Sequence, residues 1–111
     1  MAAVIQHYDR AGNPMTVDEW IEAIKVKEGI DPRRVAETTL PDGKWVSTVW
    51  LGLDHNFSGD GPPVIFESMV FAFRKSQGLG EDLDQERYST EEEARMGHDA
   101  LVAKWMKEAV E

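Results

Sequence analysis

The residues best suited to chemistry gather in one stretch, the loop 54–63 (DHNFSGDGPP). Asp54, His55, Asn56 and Asp60 lie on it, and Glu67 follows inside the apolar run VIFESMVFAF. A histidine among carboxylates can hold a divalent metal or act as an acid–base pair on a bound substrate. His98, further along, completes a candidate ligand-binding set if the fold brings it and His55 to Asp54 or Glu67. No HExxH or HxH spacing supports a metal in particular, and no cofactor is expected. Each residue also has a structural role open to it. Asp54 and Asn56 are suited to accept hydrogen bonds from turn amides, with His55 packed at a strand end. Glu67 alternates onto a face with Ile65, Met69 and Phe71, where a carboxylate needs a partner such as Arg33, Arg34 or Arg87. A raised-pKa general acid is the catalytic alternative for Glu67. His98 falls on an apolar helical stripe, the usual place of a hydrogen-bonded core histidine.

Other chemistries find no support in the pattern. None of the serines sits in a GxSxG elbow, and neither a Walker loop nor GxGxxG is present. With no cysteine, thiolate nucleophiles, zinc ribbons and disulfides are excluded. The chain is expected to be a binding protein rather than an enzyme.

The elements that would position these residues are legible from periodicity and turn chemistry. Residues 3–8 (AVIQHY) read as a short strand ended by the turn formers DRAGNP. Thr16 with Glu19 makes a capping box for a helix carrying Val17, Trp20, Ile21 and Ile24 on one stripe, with Gly29 as its stop. Residues 33–39 lead through Pro41-Asp42-Gly43 into a strand over residues 45–53, a tight hairpin. Trp45, Val49, Leu51 and Leu53 alternate onto one face of that strand, and Val46, Thr48 and Trp50 onto the other. Residues 64–73 pair back antiparallel, residues 74–80 form a loop before the acidic stretch 81–86, and Arg87-Tyr88 can add an edge strand. A second capping box, Ser89 with Glu92 or Thr90 with Glu93, opens a helix to about residue 109 with Ala94, His98, Leu101 and Trp105 on its stripe. The order β-α-β-β-β-α predicts a single α+β domain over residues 1–111, a small antiparallel sheet with two helices on one face. The opposite face would then expose Trp50 with Val46, or Ile65 with Met69 and Phe71, and a homodimer would cover it.

At 111 residues, 41% hydrophobic and 30% charged, the chain has the make-up of one globular domain. Twelve basic against 21 acidic residues leave a net charge of −9, which repels phosphate backbones and makes direct nucleic-acid binding unlikely. Such a surface could instead present carboxylates to the basic groove of another protein. The N-terminus MAAVIQHYDR has neither the basic start nor the apolar core of a secretory leader, and no run is long enough to span a bilayer. No membrane association is expected.

Several segments resemble a group of small, uncharacterised proteins of tailed bacteriophages and prophages, notably actinobacterial ones. They are Tyr8-Asp9-Arg10 with Gly12 and Pro14, Glu19-Trp20, Arg33-Arg34-Val35-Ala36, VSTVWLGLDH, GPPVIFESMVF, RYSTE, and Ala94 with Gly97-His98. The resemblance implies a phage origin and a place in the host cytoplasm, and no particular activity. By analogy with small phage accessory proteins, it points to binding a host or phage protein, as an inhibitor or a counter to host defence. A ligand or nucleotide site at loop 54–63 and a role in the virion or its assembly are the alternatives.

Overall fold

The computed structural model describes residues 6–74 and 80–110. A two-residue ladder of β1 (His7–Tyr8) and β2 (Pro14–Met15) closes the DRAGNP turn. The Asp9 carboxylate accepts from the amides of Ala11 (3.0 Å) and Asn13 (2.8 Å), which is why this polar run forms a defined turn. The rest of the expected strand over residues 3–8 lies largely outside the described residues. Helix α1 (Val17–Ala23) starts on the expected capping box of Thr16 and Glu19. It stops well before Gly29, because residues 25–30 turn back on themselves. Lys27 and Ile30 exchange both backbone hydrogen bonds (3.2 and 2.9 Å) across Glu28 and Gly29, both at positive φ. Gly29 therefore serves a two-residue hairpin turn and not a helix stop.

Strands β3 (Arg34–Thr39), β4 (Trp45–Trp50), β5 (Phe66–Phe71) and β6 (Asp82–Tyr88) form an antiparallel meander in the order β3-β4-β5-β6. The β3–β4 hairpin closes on Pro41-Asp42-Gly43 as the turn chemistry predicts, with Gly43 at φ 95°. β6 extends the edge strand expected at Arg87-Tyr88 back through the acidic stretch that follows the loop. Helix α2 (Glu91–Ala109) begins on the Thr90–Glu93 box and crosses one face of the sheet, touching all four strands. The class is α+β, as expected. The element order gains two strands over β-α-β-β-β-α, namely β2 and β6.

Two apolar clusters fill the space between sheet and helices. Near the chain's early segments, Trp20, Ala23 and Ile24 of α1 pack with Tyr8 and Met15 against Val35, Trp50, Ile65, Phe66 and Ala94. Further along α2, Leu101 packs on Leu40, Val46 and Val70, with Trp105 beside them. Each fully buried aliphatic or aromatic side chain here contributes roughly 1.5–3 kcal/mol, against about 0–1 kcal/mol for an exposed ion pair. Burial thus decides the fold. It also overturns the expected exposed patch: Trp50, Val46 and Ile65 are buried, and Met69 and Phe71 are half-buried.

Candidate functional site

Loop 54–63 is built mainly to hold itself. The Asp54 carboxylate accepts from the amides of Asn56 (2.8 Å) and Val64 (2.9 Å), clasping the loop across its base. The Asn56 side chain donates to the carbonyls of Asp60 (2.5 Å) and Pro62 (3.0 Å), while its oxygen accepts from Ser58. The Asp60 side chain points to an exposed position. His55 Nδ1 lies 2.9 Å from the Leu53 carbonyl, and the residue borders the cavity on the sheet's open face.

Glu67 stands on that open face, where Arg87 of the neighbouring strand donates to it (3.0 Å) and Gln85 adds a second bond (2.6 Å). This is the ion pair expected for a carboxylate at that position, with Arg87 as the partner. His98 lies on the other side of the sheet, beneath α2, 3% exposed. Its Nε2 is 2.9 Å from Thr38 Oγ1 and its Nδ1 2.7 Å from Thr48 Oγ1, which in turn is 2.6 Å from Ser68 Oγ. A neutral imidazole offers one donor and one acceptor, so this chain of hydroxyls satisfies it fully. Burial holds the His98 pKa below its ordinary value. Of the candidate set, only His55 and Glu67 border one cavity, and Asp54, Asn56 and Asp60 serve the loop. Among the described residues no three His, Asp or Glu side chains come together to hold a metal.

The cavity itself has a volume of about 550 Å³ and lies on the sheet face opposite α2. Its floor is Trp45, Val49 and Leu51 of β4 and the residues after it, with Met69 and Phe71 of β5. Trp20 and Ile24 close one end, and Asp31, Arg33 and Arg34 line the side. Trp20 reaches this position because its indole donates to the Leu51 carbonyl (3.1 Å) and rests on Gly52. Gly52 lies at φ 76°, and a Cβ there would run into the Trp20 ring.

The floor is covered by arginines. Arg34 Cζ sits 5.4 Å and Arg74 Cζ 5.6 Å from the centroid of the Trp45 ring, which also stacks on Phe71 at 5.6 Å. Arg34 donates to Ser47 Oγ (2.6 Å), and both arginines meet Glu37, at 3.4 and 3.1 Å. Arg33 grips Asp31 through two nitrogens, each at 3.1 Å, and the guanidinium holds the Asp31 carboxyl below its usual range. Trp45 is 7% exposed without any second protein over it. Its indole N–H is buried with no hydrogen-bond partner among the described residues, a condition that costs about 1–3 kcal/mol.

The alternation of residues 45–53 had placed Trp45, Val49, Leu51 and Leu53 on one face, and all four border this cavity. What the pattern could not show is the arginine cover, because Arg34 and Arg74 reach Trp45 only through the β3–β4–β5 pairing. No family model, curated protein or solved structure matches the chain.

Proposed function

We propose that this chain is a non-catalytic accessory protein that docks on another protein, of host or phage, through the surface of residues 17–30. One observation carries this reading. Val17 and Ile21 are 51% and 46% exposed, and Val26 and Ile30 of the following hairpin are 56% and 70% exposed. The stripe expected to face the core is split: Trp20 and Ile24 pack inward, and the rest of its aliphatic side chains stay in water. Single exposed apolar residues are ordinary, but four in one short segment mark an interaction surface.

The rim of this surface selects the partner's chemistry. Asp18, Glu19, Glu22 and Glu28 are exposed in the same segment, with Lys25 engaged by Glu22 at 3.1 Å. Two copies meeting here would bring like charges together in a protein of net charge −9, so a partner with an apolar centre and a basic rim fits better than a second copy. The resemblance to small phage proteins supports an accessory role of this kind in the host cell. Among the described residues no helix is long and apolar enough to cross a membrane.

The test is affinity capture from host lysate with the wild-type protein and with the double variant Ile21→Asp, Ile30→Asp. Both positions are exposed, so each substitution is expected to cost at most about 1 kcal/mol, and circular dichroism of the variant checks that the fold is kept. A protein retained by the wild type and lost by the variant supports the reading. Identical captured sets from the two overturn it.

A further inference from the structure

The cavity on the open sheet face borders the inward side of the docking segment, through Trp20 and Ile24, and takes in none of that segment's exposed aliphatic residues, so its make-up answers to a different kind of occupant. Arg33 and Arg34 line it beside Asp31 and Glu67, and the ion-pair partners Glu37, Arg74 and Arg87 bring the set to four guanidiniums against three carboxylates. The rest of the chain carries eight basic and eighteen acidic residues. Around the cavity basic and acidic groups are therefore close to balance, whereas the rest of the chain is strongly acidic, and an anion is repelled less here than by the chain as a whole. The cavity volume of about 550 Å³ falls within the roughly 300–1,000 Å³ of small-molecule sites.

From these features we infer that the cavity binds a small, flat aromatic anion. The aromatic body would lie against the apolar floor of Val49, Leu51 and Met69, beside the Trp45 ring. The anionic group would meet Arg34 and Arg33. Arg34 is set for this role: Ser47 and Glu37 fix its plane over Trp45, and its Nη2 has no partner among the described residues. Arg33, clamped to Asp31 through Nε and Nη2, likewise leaves Nη1 for a ligand. A planar, prepositioned guanidinium recognises carboxylate and phosphate alike.

Three of the chain's four tryptophans, Trp20, Trp45 and Trp50, border the cavity, so intrinsic fluorescence reports its occupancy. The probes are adenosine monophosphate and 1-naphthoate as anions of phosphate and carboxylate type, each paired with its uncharged counterpart, adenosine and 1-naphthylmethanol. At least one anion is expected to quench saturably, with its neutral counterpart weaker by about tenfold or more. Which anion binds separates a phosphate from a carboxylate ligand. Arg34→Ala is expected to weaken that binding by about tenfold or more. Arg33→Glu, at an exposed position that does not threaten the fold, is expected to do the same. Equal binding of charged and neutral probes, unchanged binding by the folded Arg33→Glu variant, or no binding of either anion would each overturn the inference. The capture experiment with the 21/30 double variant reads a different surface, so the two proposals stand or fall separately.

Discussion

The most consequential single residues are those on the buried side of the sheet. His98 bonds the half-buried Thr38 and the buried Thr48 at once, so His98→Ala should leave a cavity and remove one hydrogen bond from each, Thr48 keeping only Ser68. Such a loss amounts to about 2–4 kcal/mol, read as a lower urea midpoint at unchanged slope. The same residue sets a pH dependence. Its folded pKa is lowered by burial, so on acidification the unfolded chain takes up this proton before the folded one. Stability from this group is intact above the ordinary value of 6.5, falls as pH drops below it, and levels off under the folded pKa. Denaturation midpoints at pH 7 and pH 5 should therefore differ more in the wild type than in His98→Gln. Next to His98, Gly97 has no room for a side chain, because a Cβ would strike the ring of Tyr88. Gly97→Ala should cost about 1–3 kcal/mol by overpacking. The Tyr88 hydroxyl is itself buried without a hydrogen-bond partner among the described residues, Ser68 approaching it without reaching bonding geometry. Tyr88→Phe should accordingly be neutral or slightly stabilising in the same urea titration, and a clear loss of stability would show that the hydroxyl is bonded after all.

At the scale of elements, the helix starts were legible and the helix end was not. Both capping boxes are local chemistry, a hydroxyl meeting an amide three residues away, and both form as the sequence implies. Thr90→Ala should therefore cost about 1 kcal/mol by thermal melting, since α2 carries most contacts to the sheet. Where α1 stops depends on the Glu28-Gly29 turn, and glycine after a helical stripe serves a helix stop or a hairpin equally well. Beyond Arg87-Tyr88, β6 was hidden for another reason. Its residues DLDQERY are those of an edge strand, charged against further pairing, and charge of that kind resembles a loop when the sheet is not in view. The faces of β4 followed from alternation alone, and with them most of the cavity floor. The candidate site fared unevenly: Glu67 met an arginine as expected, whereas His98 and His55 were placed on opposite sides of the sheet. No periodicity reveals that, because His98 sits on a helix whose side of the sheet is chosen by tertiary packing.

At the scale of the whole molecule, long-range ion pairs tie the elements together and decide how the fold answers to acid. Arg10 donates to Glu91 at the start of α2 (2.7 Å) and reaches the Pro32 and Arg34 carbonyls (each 3.4 Å), joining the first turn, α2 and β3. Asp84 of β6 accepts from Lys104 (2.7 Å) and Trp105 (3.0 Å) of α2. Arg10 holds the Glu91 pKa down, with Arg95 assisting, and Lys104 followed by Trp105 does so for Asp84. Both carboxylates thus have folded pKa values below their ordinary 4.5 and 3.8. Their contribution is complete above those values and is lost as pH falls through the depressed folded ones. Glu22 is lowered too, by Lys25 three residues away, but that pair lies within one exposed segment and joins no two elements. Protonation also relieves the self-repulsion of a chain at −9, which opposes the loss. The neutral variants separate the two effects, because each removes the same unit of charge. Glu91→Gln and Asp84→Asn should lower the denaturation midpoint at pH 7 and flatten its decline between pH 5 and pH 3. Glu22→Gln should shift the midpoint little and leave the slope of that decline unchanged. Equal behaviour of all three variants would mean that overall charge, not the ties from α2 to the turn and to β6, governs the acid limb.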